Sequence, residues 1–321
     1  VGALLSKDFL NKARAWELDR TASVCTGCSQ GCNIIVETRD NTVMRLRPRS
    51  NESVNQFFMC DHGRGNYRWL NRRDRLESPS ILGASGHATV DWDVALEGAA
   101  RVLKGKKIFV LASPNLSNEA LHLLSRLVKK SGGAGAYRVE QGTVAALPGA
   151  PDLALRADRA ANATGAQLLG FTRHASPLEL LQPGDALVIA DHDLAPTDVP
   201  AVNRASVVVV VGTAMPANLP KADVILPIAN VVEEEGTFTN LRGRVQRFLQ
   251  AKATQGMARP SWYVLSDLLG AMGEKAEYFT ASDAFAALAA AEPAFAGLSY
   301  DTLGLRGLPV VDAASFAEAA R

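Results

Sequence analysis

The chain has 321 residues, 34 Lys and Arg against 33 Asp and Glu for a formal net charge of +1, and 47% hydrophobic residues. That balance argues against a polyanionic partner and against a self-repelling disordered chain, and the length supplies a real core in two or so structural units. No apolar run in it reaches membrane-spanning length, and none reads as a secretory signal.

In chain order, the opening VGALLSKDFLNKARAWELDR lacks an initiator methionine, so residues 1–20 read as a linker from sequence upstream. SVCTGCSQGCN then places Cys25, Cys28 and Cys32 within eight residues, and the only other cysteine is Cys60, giving C-x2-C-x3-C-x27-C. A disulfide framework does not suit a chain whose thiols all lie in its first fifth. Zinc usually takes two separated C-x2-C pairs around one small ion. A cubane spreads its irons widely enough for three ligands from one loop and one distant ligand. The spacing therefore predicts one 4Fe-4S cluster on Cys25, Cys28, Cys32 and Cys60, with zinc and buried free thiols as the alternatives.

NIIVETRDNTVMRLRPR alternates as a hairpin turning at Asp40-Asn41, so residues 21–79 read as a small β-rich module around the metal. After Cys60 come Arg64, Arg68, Arg72, Arg73 and Arg75, interleaved with Tyr67 and Trp69. They read either as a solvated face, or as charges that offset a thiolate-ligated cluster or dock a partner subunit.

Residues 80–273 change to a helix–strand pattern. DWDVALEGAARVLKG is a helix with Asp91 as N-cap, and KKIFVLAS is a buried strand. SNEALHLLSRLVKKSGG is a helix capped by Ser117, with Leu121, Leu124 and Val128 on one face and glycine at its end. DALVIAD, ASVVVVVGT and ADVILPIA are the continuous apolar runs of parallel strands covered on both faces. Together they predict an α/β fold with a doubly wound, mostly parallel sheet. Neither a dinucleotide fingerprint nor a P-loop occurs, and SGGAGAYRV is too loose to count, so no flavin or NAD is expected on this chain. His62, His87, His122, His174 and His192 show no metal-ligand spacing, and His122, within a helix, reads as structural. The alanine-rich residues 274–321 read as a tail of helices and loops packed on the outside.

The most specific stretch beyond the cysteines is ADVILPIANVVEEEGTFTNLRGRVQRF. It closely resembles the molybdopterin oxidoreductases, in which a strand leads into an acidic E-x-G-T-F-x-N-x-x-G-R-x-Q turn. As a structural turn it would use Asn240 and Thr237 to bond their own backbone, Gly236 and Gly243 to admit tight geometry, and Arg244 to clamp Glu235. Within that family, the opening segment, SVCTGCSQGCN and LSNEALHLLSRL resemble the C-terminal part of the large iron–sulfur subunits of bacterial NADH:quinone oxidoreductase, respiratory complex I.

This resemblance implies a 4Fe-4S cluster on the four cysteines and partners among the peripheral-arm subunits on the cytoplasmic face of the inner membrane. It also implies a cluster off the main electron path, with a role in assembly and stability, in a chain that alone does not oxidise NADH. Three departures from the active molybdoenzymes stand out. Asp61-His62-Gly63-Arg64 follows the fourth cysteine, with His62 where those enzymes typically carry lysine. No cysteine remains after Cys60 to ligate molybdenum, leaving only Ser or Asp for that role. The stretch from Gly135 to Pro183 is short for a second nucleotide-binding lobe, and no barrel-like pattern follows Gln246. No molybdopterin is therefore expected. The alternatives are a catalytic fragment of a true molybdopterin oxidoreductase of the formate dehydrogenase kind, and a zinc-ribbon interaction module.

Overall fold

The structure is a computed structural model that describes residues 7–319, so the first six residues of the expected linker and the last two of the tail lie outside the described residues. Strands β1 (Asp19–Val24), β2 (Asn33–Arg39) and β3 (Thr42–Pro48) form an antiparallel sheet in that order. Asp40 and Asn41 have φ of +49° and +58°, the left-handed pair that a two-residue hairpin turn requires. The cysteine loop joins β1 to β2, and the short helix α1 (Asp61–Gly65) starts directly after Cys60.

The larger sheet begins with the hairpin β4 (Ser80–Gly83) and β5 (Gly86–Thr89), followed by helix α2 (Trp92–Leu103). Then come β6 (Ile108–Ala112), α3 (Asn118–Ser131), β7 (Ala134–Tyr137), the separate hairpin β8 (Ala145–Leu147) and β9 (Ala150–Leu155), α4 (Ala163–Leu168) and β10 (Thr172–Arg173). Strands β11 (Ala186–Ala190), β12 (Val207–Gly212) and β13 (Val224–Pro227) complete it, with α5 (Val199–Arg204) between the first two. Its order is β10-β7-β6-β11-β12-β13-β4-β5, parallel from β10 to β13. The chain winds outward in one direction from β6 and in the other from β11. Alternate residues explain why these strands read as continuous apolar runs: Ile108, Val110 and Ala186 pack under α2 and α3, while Phe109, Leu111 and Leu187 pack under α5.

Ser117 caps α3, its Oγ accepting from the Ala120 amide at 3.2 Å, and Gly132 ends the helix at φ +63°. Asp91 stands at the N-cap of α2, but its exposed side chain makes no capping bond, which corrects the role expected for it.

The chain continues through β14 (Gly236–Thr239), β15 (Arg244–Phe248), α6 (Ser261–Ala271), α7 (Ala281–Ala291), α8 (Tyr300–Leu303), β16 (Leu308–Pro309) and α9 (Ala314–Ala319). The expected outer tail needs correction. Phe285, Leu288, Phe295 and Leu303 are buried in the same core as α3, and β16 pairs with β15. The reason lies in α3, where Leu121, Leu123, Leu124 and Leu127 are all buried, so that the side away from the sheet also needs cover. Fully burying each such side chain contributes about 1.5–3 kcal/mol.

Candidate metal centre

Three thiols come from the β1–β2 loop and the fourth from the N-cap of α1, and all four line one largely apolar pocket with Met59, Gly63 and His62. Cys25 and Cys28 are buried, and Cys32 and Cys60 are half-buried. Backbone amides face the sulfurs: Gly27 donates to Cys25 Sγ at 3.4 Å and Gly63 to Cys60 Sγ at 3.3 Å, while the amides of Gln30 and Arg156 face Cys28. The space is kept by glycine, since a Cβ on Gly63 would stand 3.0 Å from Cys25 Sγ and 3.6 Å from Cys60 Sγ. Burial pushes the Cys25 thiol up to about 12 and raises Cys28 and Cys32, with neighbouring sulfurs adding to it. A bound cationic core would reverse this, because a coordinating thiol is deprotonated by its metal.

Among the described residues no group of three or more His, Cys, Asp or Glu side chains is set to hold a single metal ion, although four thiols ring the pocket. Amide donors directed at thiolates suit the donor set of an iron–sulfur cluster. The four thiols, the inward amides and the missing Cβ of Gly63 all fit such a group.

The sequence reading missed one wall. Leu153, Ala154 and Leu155 of β9 close the pocket from far downstream in the chain, and nothing in their own pattern marks them as neighbours of cysteine. Arg156 beside them donates to Gln30 Oε1 at 3.0 Å, tying this hairpin to the cysteine loop. The arginine-rich stretch divides in two. Arg68 pairs with Asp8 and Arg72 with Asp74 near the surface, whereas Arg75 is buried against Glu233 at 2.8 Å.

A polar cleft of about 460 Å³ adjoins the pocket. It lies beyond the ends of β6, β11 and β12, lined by Ser113, Asp191, His192 and Thr213, and shares Gly27 and His62 with the thiol site. His122 is elsewhere, inside the core, where burial lowers its pKa to about 4 and keeps the ring neutral.

The acidic-glycine segment is a β-hairpin, β14 to β15. Asn240 fixes its turn as expected, Oδ1 accepting from the amides of Arg242 and Arg244 at 3.0 Å each. Thr237 does not bond its own turn. Its amide and Oγ1 both donate to Glu119 of α3 at 2.9 Å. Nor does Arg244 clamp Glu235: register pairs Gly236 with Phe248, which leaves Glu235 at the far end of the hairpin beside Arg247, 3.8 Å away. Arg244 instead donates to the carbonyls of Arg306 and Gly307. Gly236 is required by packing, since a Cβ would lie 2.8 Å from Phe248. Gly243 is required by its φ of +71°, and a Cβ there would sit 3.1 Å from Phe316. Gly243→Val is expected to lower stability by about 2–4 kcal/mol in urea unfolding, and Arg244→Ala by about 1 kcal/mol.

Two buried carboxylates near this hairpin have no cationic partner among the described residues. Glu119 accepts from Thr237 and from Tyr300 Oη at 2.9 Å, and Glu234 accepts from the amide and Oγ of Ser261 at 2.6 and 3.0 Å. Burial pushes Glu119 up to about 7 and Glu234 up to about 8, against these donors. The folded protein thus holds protons that the unfolded chain releases near pH 4.5, so stability falls as pH rises from there towards 8. Glu234→Gln keeps the amide acceptor without a charge. Its unfolding free energy is expected to drop less than the wild type's between pH 5 and 8.5, the difference being on the order of 1–3 kcal/mol.

The chain joins a winding parallel sheet to a small antiparallel module whose four thiols line one pocket, and comparison with known proteins finds similarity in both parts. Residues 18–72 match the molybdopterin oxidoreductase Fe4S4 domain and residues 184–271 match molybdopterin oxidoreductase. The fold is shared with acetylene hydratase from Pelobacter acetylenicus at a TM-score of 0.55 and 10% identity, over 88% of this chain and 73% of that one. More particularly, stretches of the chain are similar to a region of the G subunit of NADH-quinone oxidoreductase. It is 42% identical to the Pseudomonas fluorescens protein over 115 residues, which are 36% of this chain and 12% of that one. To the Rickettsia bellii protein it is 37% identical over 144 residues, 44% of this chain and 21% of that one. The matched stretches thus span about an eighth to a fifth of the length of these relatives. The resemblance drawn from the two sequence motifs is therefore upheld, as is the α/β fold class.

Proposed function

We propose that the chain holds one 4Fe-4S cluster through Cys25, Cys28, Cys32 and Cys60, and acts as a non-catalytic redox and scaffold part of the peripheral arm of a respiratory NADH:quinone oxidoreductase. The carrying observation is the ring of four thiols in one buried pocket with backbone amides facing their sulfurs. When bound, such a cluster supplies one-electron redox chemistry. The chain's own contribution is to fix the thiolates, donate hydrogen bonds to sulfur, and exclude water with Met59, Leu153 and Leu155. Residues 21–79 form the cluster module, 80–273 the sheet domain and 274–321 the tail. Partners are other members of the arm, on the cytoplasmic side. Among the described residues no helix is long and apolar enough to cross a membrane.

The polar cleft beside the thiols favours a second reading, a molybdopterin oxidoreductase fragment. Against it stand the missing lysine, replaced by His62, and the absence of a phosphate loop. Iron, sulfide, zinc, molybdenum and tungsten analysis of anaerobically purified protein decides between them, together with fluorescence of extracted, oxidised pterin. Iron and sulfide without pterin is the expected result. Molybdenum or tungsten near one atom per chain selects the second reading, and colourless zinc protein removes both.

A further inference from the structure

The cysteine loop leaves four consecutive carbonyls to satisfy, those of Ser29, Gln30, Gly31 and Cys32, and none of them turns into the thiol pocket. Cys25 N–H takes the Cys32 carbonyl at 2.8 Å. The other three are taken by the β14–β15 hairpin: Leu241 N–H bonds Ser29 O at 2.9 Å, Asn240 Nδ2 bonds Gln30 O at 3.4 Å, and Gln246 Nε2 bonds Gly31 O at 2.9 Å. Gln246 is fully buried, and its Oε1 accepts from Asn33 Nδ2 at 3.0 Å, so one side chain grips both sides of Cys32. The approach is close enough that a Cβ on Gly31 would stand 2.9 Å from Gln246 Nε2.

In a trans peptide the C=O of one residue and the N–H of the next point in opposite directions. Pulling the Ser29 carbonyl outward, as the Leu241 amide does, therefore aims the Gln30 amide inward towards Cys28, and pulling the Gly31 carbonyl outward, as Gln246 does, turns the Cys32 amide to the pocket side of the loop. We infer that Gln246 is a positioning residue for the metal centre: by holding the Gly31 carbonyl and Asn33 on either side of Cys32, it fixes that thiolate with its amide on the pocket side and raises the reduction potential of the bound cluster. The direction follows from charge, since N–H···S bonds stabilise the more negative, reduced state. The inference rests on the cluster reading above and gives the hairpin motif a task without a pterin.

The test uses the full chain with its cluster assembled, titrated electrochemically with EPR detection, and challenged with a chelator. Gln246→Met, similar in shape but without donor or acceptor, is expected to lower the midpoint potential and speed iron loss about tenfold or more. Asn33→Ser removes the donor to Gln246 Oε1 and loosens the grip from the other side of Cys32, so it should shift the potential and iron loss in the same direction by less. Thr237→Val serves as control. It loosens the hairpin on the Glu119 side, so it should lower the melting temperature and leave the potential alone. Unchanged potential and iron retention in both Gln246→Met and Asn33→Ser would overturn the inference while leaving the cluster reading intact, as would a shift of equal size in Thr237→Val. Wild-type protein without iron and sulfide overturns both.

Discussion

Replacing Cys60 by serine is expected to strip the chain of its iron and sulfide, or convert the cluster, and to loosen residues 21–79 while the large sheet stays folded. Cys60 has two tasks that the substitution separates. Its Sγ closes the thiol ring, and it also caps α1 by accepting from the Gly63 amide at 3.3 Å. Serine is a good N-cap and a poor iron ligand, whereas alanine is neither. If ligation dominates, both variants lose the cluster alike and differ in stability by about 1 kcal/mol, the worth of the cap. Iron and sulfide analysis, EPR of the reduced protein and hydrogen exchange across residues 21–79 read the result, because metal binding in such a module is coupled to its folding. A full complement of iron and sulfide with an unchanged EPR signal in the serine variant would remove Cys60 from the ligand set.

What the sequence made legible was chemistry carried by spacing and structure carried by side-chain pattern. Three thiols in one loop stay together whatever the fold. β6, β11 and β12 announce themselves because both of their faces are apolar. β7, Ala-Gly-Ala-Tyr, does not, since glycine and alanine give no hydrophobic signal. Its place is set by close approach, Gly135 lying where a Cβ would meet Phe171 at 2.6 Å. The β8–β9 wall was illegible for another reason, because AALPGAPDLAL reads as a turn-rich linker and only the tertiary fold carries it to the thiols. The Arg244–Glu235 pairing failed on register. Nine residues apart in sequence, they sit at opposite ends of a hairpin whose pairs run from Gly236–Phe248 to Thr239–Val245. The motif's glycines and Asn240 act as local turn chemistry suggests, but Gln246 and Thr237 act across the fold, on Gly31 and Glu119.

Arg75→Ala is expected to destabilise the protein by about 3–5 kcal/mol, more than any exposed arginine of the same stretch. The Arg75 and Glu233 side chains are 1% and 0% exposed, and the guanidinium donates to four acceptors. Nε donates to Thr213 O at 2.8 Å, Nη1 to Glu233 Oε1 at 2.9 Å, and Nη2 to Ile228 O at 3.0 Å and Glu233 Oε2 at 2.8 Å. Thr213 and Ile228 follow β12 and β13, and Glu233 begins the acidic segment, so one residue leaving the cluster module binds the sheet and the hairpin approach together. Lys252 reaches the same carboxylate at 3.1 Å and also donates to Leu70 O. Without Arg75, Glu233 keeps one cation, Ile228 O loses its donor and Thr213 O keeps only the Leu76 amide. Lysine at position 75 cannot restore a planar fork to four acceptors, so Arg75→Lys should recover less than half of the loss. Arg72→Ala, whose pair with Asp74 is exposed, is expected to cost under about 1 kcal/mol. Urea unfolding of the three variants reads these differences directly. If Arg75→Ala and Arg72→Ala prove equally mild, the cluster module and the sheet are joined by apolar contacts alone, such as Val232 packing among Tyr67 and Leu70, and the buried triad is not what couples them.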